Sequence, residues 1–361
     1  MFRDTILFID SDTSVDGFRG VPAALDYLSK VSNGLNIIKS PTILFDPNLY
    51  RRLRSIVFRN HASPQTDSII RELKRHSVEY GFKIVYVYDQ PFYPKEGGKS
   101  VYPDYISDRF QVNDAQLKSA MMLMRMSDTI VVNDEDTKRF VRGGLGMIKD
   151  VEVFGQYVSR NFMGSKESKI TRQNILYGRV VYVASKDDFT PGDPNKTSFD
   201  ESFIKWMHKK MSHDRWFFTC IHPKGLFPTF FDGMKKLNNF ESISVNSHDE
   251  MLYELKMYRA HFGIIPMQDN EFYHNYPTGR FKELYSAGTV AIARKSMANQ
   301  FLSYIDNPVL ISDYESDTLD DRIEALMKKD NFNSVLNQQF TILDQQNSWI
   351  ENRANELLKC M

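Results

Sequence analysis

The stretch YPTGRFKELYSAGTVAIARKS, Tyr276–Ser296, carries the pattern on which the fold turns. Phe281, Leu284, Tyr285 and Gly288 recur at i, i+3, i+4 and i+7, so the segment reads as a short amphipathic helix with its apolar stripe against a core. The run TVAIA that follows is β-branched and too short for a helix, so it reads as a buried strand with Gly288 as the helix stop. Arg280 and Glu283 fall on the first turn, off the stripe, and are expected to point elsewhere. A polar pair at the start of a helix that returns into a buried strand stands where α/β proteins hold phosphates and riboses. Taken alone, the same pair is also the pattern of a solvated i, i+3 ion pair on a helix surface.

Outward from this segment, strand-like runs alternate with helical patterns. TILFID from Thr5, SIVFRN from Ser55, FKIVYVYD from Phe82 and DTIVVN from Asp128 are separated by amphipathic stretches at 22–31, 67–80 and 115–126. A second series runs through RVVYVAS from Arg179, WFFTCI from Trp216, SISV from Ser242, AHFGIIPM from Ala260, TVAIA and PVLIS from Pro308. Strands alternating with helices predict doubly wound parallel sheets. The expected division is an α/β domain over 1–160, a polar join around 159–174, a second α/β domain over 175–330, and closing helices over 331–361.

The 361 residues suffice for two cores, and the formal net charge of zero gives no overall pull toward nucleic acid or an anionic membrane. Two cysteines, Cys220 and Cys360, make neither a disulfide framework nor a thiolate metal site, which predicts a reduced, cytoplasmic setting. MFRDTILFID has no signal-peptide core, and no run approaches the roughly 18 apolar residues of a spanning helix. There is no G-x-x-x-x-G-K-[ST]; RGGLG, Arg142–Gly146, lacks the context of a dinucleotide fingerprint; no H-E-x-x-H or G-x-S-x-G occurs. Hydrolase and transition-metal chemistry are thereby disfavoured.

Extended backwards to Tyr258, the opening segment reads YRAHFGIIPMQDNEFYHNYPTGRFKELYSAGTVAIARKS. It resembles the donor-site signature of GT-B glycosyltransferases, particularly the family-4-like group, in which a D-I-G-I-A-P-L strand leads to K-F-x-E-Y-x-A-x-G-x-P-V-I-A-S. Gly263, Ile264, Pro266, Arg280, Phe281, Glu283, Ala287 and Gly288 are among the matching positions. The resemblance implies two Rossmann-like domains facing across a cleft and a nucleotide-sugar donor, most simply UDP-linked. No cofactor beyond the donor is required, no protein metal site is implied, and a divalent metal is optional. By the same resemblance Arg280 neutralises the donor diphosphate and Glu283 accepts from the ribose hydroxyls, roles that suit a guanidinium fork and a carboxylate. Ser185 and Lys186, in the loop after RVVYVA, would approach the diphosphate. Asn275 stands eight positions before Glu283, where many relatives carry an acid, and is the remaining donor-contact candidate.

SDTIVVNDEDTKRFV resembles the last strand and helix of the acceptor domain, with Asn133 as a helix cap and 134–136 as first-turn acids. In the first half Asp10 and Asp12, His61, and Asp89 follow strand-like runs; Asp89 and His61 are the candidates to take a proton from an acceptor hydroxyl. Arg51, Arg52, Arg54 and Arg59 lie close in sequence, with Arg71, Lys74 and Arg75 beyond, and on one face they would contact the phosphates of a DNA acceptor. Phe92, Tyr93, Tyr102 and Tyr105 could form an aromatic lid or a packed loop. FKELYSAGTVAIARKSMANQFLS also resembles the bacteriophage enzymes that glycosylate hydroxymethylated bases in DNA, which would put the chain in a host cytoplasm. The alternatives are transfer to a bacterial surface saccharide or lipid-linked acceptor, a GT-B nucleotide-sugar epimerase acting without acceptor, and a binding protein without turnover.

Overall fold

The computed structural model describes residues 3–10, 20–59, 65–88, 114–155, 157–160, 163, 176–184, 201–225, 234–266, 279–294, 310–311, 317–345 and 349–361. Contacts divide the chain into two compact units, Met1–Tyr157 with Ile350–Met361, and Val158–Trp349.

The first unit is built on six parallel strands: β1 Thr5–Ile9, β2 Asn36–Ser40, β3 Leu53–Arg59, β4 Lys83–Tyr88, β5 Thr129–Val132 and β6 Asp150–Val153, in the order β2-β1-β3-β4-β5-β6. Strand period two sorts their side chains onto two faces. Leu7, Ile9, Ile56, Phe58, Ile84 and Tyr86 form one core with Leu73 of the helix Asp67–Tyr80 and Leu123 of the helix Asp114–Met126. Ile6, Phe8, Val57, Val85 and Val131 form the other with Leu25 of the helix Gly20–Val31 and Leu357 of the helix Ile350–Cys360. Both faces are covered, as a parallel sheet requires.

The helix Asp67–Tyr80 is bounded by local chemistry. Thr66 caps its start by accepting from the Ile69 N–H, and Gly81 ends it at φ 71°. At Glu135–Arg139 the expected cap moves by one residue: Asp134, not Asn133, accepts from the Thr137 N–H at 2.6 Å. RGGLG is no phosphate loop, since Phe140–Gly144 forms a π-helical turn that ends on Leu145.

The second unit repeats the design with β7 Gly178–Val183, β8 Trp216–Pro223, β9 Phe240–Val245, β10 Phe262–Ile265, β11 Val290–Arg294 and β12 Leu310–Ile311. All are parallel, in the order β12-β11-β10-β7-β8-β9. The expected closing segment 331–361 is divided between the units. The helix Lys329–Gln345 packs in the second, while Ile350–Cys360 returns to the first, because its Ile350, Ala354 and Leu357 complete the face beside the helix Gly20–Val31.

One buried group yields a stability prediction. Tyr50 is 1% exposed among His76, Tyr80 and Phe82, and its hydroxyl meets no hydrogen-bond partner among the described residues. Burial, aided by the charges of Glu72 and Asp46, pushes its pKa up to about 12 from 10.0. The folded state therefore holds this proton more tightly than the unfolded chain, so the contribution is complete below pH 10.0 and is lost as pH rises toward about 12. Tyr50→Phe removes an unsatisfied buried hydroxyl and is expected to raise stability by about 1–3 kcal/mol. Denaturant melts at pH 8 and pH 11 check both statements: the gain is larger at the higher pH.

Candidate functional site

In an open parallel sheet, ligands settle at the carboxyl ends of the strands, where the strand order reverses and the crossovers leave on opposite faces. In the second unit the chain starts at β7, runs outward through β8 and β9, then returns to lay β10 on the other side of β7. The reversal thus falls between β7 and β10, which pair from Val180↔Phe262 to Tyr182↔Ile264. The chain leaving β10 leads to the helix Arg280–Ser286, whose first turn lies toward that carboxyl edge and whose end returns into β11.

Three features fix this helix. A Cβ on Gly263 of β10 would stand 2.3 Å from Leu284 Cδ2 and 3.0 Å from its Cγ, so the bare glycine is what lets the helix press onto the strand. At the far end Gly288 takes φ 71°; its N–H donates to Tyr285 O at 3.0 Å and the Thr289 N–H to Leu284 O at 2.9 Å, a Schellman closure. Beyond it lies Gln339, fully buried on the helix Lys329–Gln345; with its amide turned so that O and N exchange places, it donates N–H to Thr289 O at 3.1 Å and accepts from Ala291 N at 3.3 Å. Among the described residues β12 pairs with Ala293 and Arg294 of β11, and Gln339 meets the backbone just ahead of them.

The sequence pattern predicted an apolar stripe with Arg280 and Glu283 pointing off it, and left a solvated surface pair as the alternative; in the structure all seven residues of the helix are buried. Arg280 is 5% exposed and Glu283 1%, so a solvated surface pair is excluded. The reason is packing on more than one side, against β10 and β11 and against the helix Lys329–Gln345. Lys282, which lies off the apolar stripe and which the sequence reading did not single out, is buried as well, at 8%. Two cations and one anion thus sit within about one buried turn. Charges this far from water are costly unless paired or hydrogen-bonded, and their concentration beside a strand-order reversal makes this turn the candidate place for a charged ligand. Among the remaining donor-site and acid/base candidates, Ser185, Lys186, Asn275, His61 and Asp89 all lie outside the described residues.

The first sheet reverses between β1 and β3. Asp10 is the first residue past β1 and Arg59 the last of β3; Arg59 Nη1 donates to Asp10 Oδ2 at 3.0 Å, with side-chain exposures of 6% and 7%. Arg59 therefore does not join a basic face with Arg51, Arg52 and Arg54. Those three lie at the other end of β3: Arg52 reaches Asp4 at 3.3 Å and Arg54 donates to Leu358 O at 2.8 Å. The pattern predicted one arginine face, but the strand carries its two ends apart at about 3.3 Å per residue. Among the described residues no group of three or more His, Cys, Asp or Glu side chains could hold a metal ion, and no helix is long and apolar enough to cross a membrane.

No family model matches the chain, and no curated protein matches it. Solved structures do. Sucrose-phosphate synthase from Thermosynechococcus elongatus aligns over 98% of this chain and 97% of its own at a TM-score of 0.61 and 10% identity. The fold is that of the GT-B glycosyltransferases. A trehalose-6-phosphate synthase aligns over 99% of both chains at a TM-score of 0.55 and 12% identity. A DNA-modifying β-glucosyltransferase also aligns over 99% of both chains, but at a TM-score of 0.49 and 12% identity it carries no argument about substrate. At such identities the GT-B likeness speaks for backbone architecture, and the chemistry must come from the residues.

Proposed function

We propose that this GT-B protein transfers a sugar from a nucleotide sugar, uridine-linked, to an acceptor hydroxyl. The observation that carries the reading is the burial of Arg280, Lys282 and Glu283 on one short helix at the β7/β10 reversal. Arg280 is assigned to the diphosphate, which it can meet with a planar fork of donors. Lys282 adds a second positive charge. As the bond from the sugar to the leaving diphosphate breaks, negative charge grows on that oxygen, and preformed cations in a dry site stabilise it. With two cations there, a divalent metal is optional. Glu283 accepts from the ribose hydroxyls, an acceptor-only group meeting a vicinal diol.

Ser185 and Lys186 follow β7 in sequence and are assigned to the opposite side of the diphosphate, and Asn275 to the donor sugar. Asp89 and His61 follow β4 and β3 in sequence and are assigned to receive the acceptor proton. A DNA acceptor was expected from the bacteriophage resemblance of FKELYSAGTVAIARKSMANQFLS and from a shared arginine face at Arg51, Arg52, Arg54 and Arg59. With Arg59 paired to Asp10 and the others at the opposite end of β3, a saccharide hydroxyl is the better-supported acceptor.

Thermal-shift measurements against nucleotides and nucleotide sugars test the assignment. A ligand that binds only the folded chain stabilises it by about 2.7 kcal/mol at a hundredfold excess over Kd. UDP and UDP-sugars are expected to raise Tm where NAD does not; no shift with any uridine diphosphate would remove the reading. Conversion of the donor to an isomer with no second substrate present would replace it by an epimerase.

A further inference from the structure

The second unit leaves an apolar corner uncovered at the end of its sheet opposite the candidate ligand edge. The helix His248–Tyr258 runs from the carboxyl end of β9 to the amino end of β10, and Met251, Leu252 and Leu255 are buried along one side of it. A second apolar pair, Tyr253 and Met257 at i and i+4, stands exposed on its outer side. Tyr258, which ends the helix, lies beside Thr219, Glu241 and Arg179. Phe217 comes two positions before Thr219 in β8, so it faces the same side, nearer the amino edge, and it too is exposed. The ring of Tyr177, just ahead of β7, meets Phe217 edge-on with centroids 6.1 Å apart, and is exposed as well.

Arg259 adds a second, independent signal. It caps the same helix with a left-handed φ of 52°, and among the described residues no other non-glycine side chain has a positive φ. Glycine takes that conformation without steric cost, so the turn itself does not call for an arginine. The side chain is exposed and makes no hydrogen bond or ion pair among the described residues. Tyrosine, phenylalanine, methionine and arginine are the residue types in which the centres of protein interfaces are enriched.

Charge decides what covers the corner. Arg179 and Arg259 stand against Glu241 and Glu254, so the rim is balanced in sign. A balanced rim gives no pull toward nucleic acid or an anionic membrane. A second copy of the same face, turned about a twofold axis, can set each sign against its opposite while the apolar centres meet. We infer that Tyr177, Phe217, Tyr253 and Met257, with Arg259 beside them, form the interface of a homodimer joined second unit to second unit. The carboxyl edge of each second sheet, at the other end of the strands, is thereby left open. The inference does not depend on the glycosyltransferase reading. Because the apolar centre is small for a stable interface, the dimer is expected to dissociate with a Kd on the order of 10 μM.

Sedimentation equilibrium of the full chain from about 1 to 200 μM follows the association. The wild type should pass from monomer to dimer across that range. The double variant Tyr253→Glu/Met257→Glu, both at exposed positions, should keep the wild-type circular dichroism and stay monomeric throughout. Arg259→Gly suits the left-handed cap and keeps the test open if the glutamates disturb the helix; it should weaken association about tenfold while raising the Tm of the dilute monomer. A wild type that remains monomeric, a dimer that survives the two glutamates, or unchanged association in Arg259→Gly overturns the inference. Co-sedimentation of the wild-type monomer with anionic lipid vesicles, lost in the double variant, would overturn it too and give the corner to a membrane.

Discussion

Arg280→Ala should weaken UDP binding by about 10- to 100-fold, the loss expected when a hydrogen bond to a charged group is removed from a dry site. The side chain is 5% exposed, so water replaces the guanidinium poorly. Alanine favours the helix, so the local backbone does not by itself resist the change. Arg280→Lys should fall between wild type and alanine, because the charge remains while the planar fork is lost. Titration calorimetry with UDP, alongside a thermal melt of each variant, separates lost affinity from lost fold. Equal affinity in wild type and Arg280→Ala would contradict the role.

Gly263→Ala should act through the fold on the same site. The added Cβ would meet Leu284 at 2.3 Å, and Leu284, 2% exposed, has little room to retreat. Overpacking of this kind costs about 1–3 kcal/mol. At about 2–4 °C per kcal/mol for a unit of this size, the fall in Tm is readily measured. Because the clash pushes on the helix that carries Arg280 and Glu283, UDP affinity should fall with it. Leu284→Ala in the same chain makes room for the methyl, so the double variant should cost less than the sum of the singles. Strict additivity would show that the close approach does not limit the helix position.

These variants also mark where the sequence was readable. TILFI, IVFR, KIVYVY, TIVV and RVVYV lie in strands buried almost throughout and paired on both sides, so their apolar runs stand out against the helices between them. NIIKS and DVEV, strands β2 and β6, escape the same reading because they sit at the sheet edges, short and half-exposed, with polar residues among the apolar ones. The stop at Gly288 was legible because it answers a local demand, a left-handed turn, whereas Gly263 was marked only by the resemblance and its close approach to Leu284 needed the structure.

The burial of Arg280, Lys282 and Glu283 was not legible from their own segment. Their helix packs against β10, β11 and the helix Lys329–Gln345, some fifty residues downstream, and none of those contacts is written in the segment itself. The arginines at 51, 52, 54 and 59 misled for the opposite reason. Closeness in sequence suggested one surface, yet β3 carries Arg59 to the carboxyl edge, where Asp10 waits at the end of the neighbouring strand. The last helix shows the same limit, since its stripe of Ile350, Ala354 and Leu357 says that it packs but not on which unit.

In the proposed donor site Glu283, 1% exposed, holds the ribose while Arg280 holds the diphosphate. Titration of UDP and 2′-deoxy-UDP into wild type and Glu283→Ala tests it most directly, because the cycle isolates one contact between one carboxylate and one hydroxyl. Loss of the 2′-hydroxyl should weaken binding by about tenfold in the wild type, as for a hydrogen bond to a charged group, and hardly at all once Glu283 is gone. The same penalty in both proteins would contradict it.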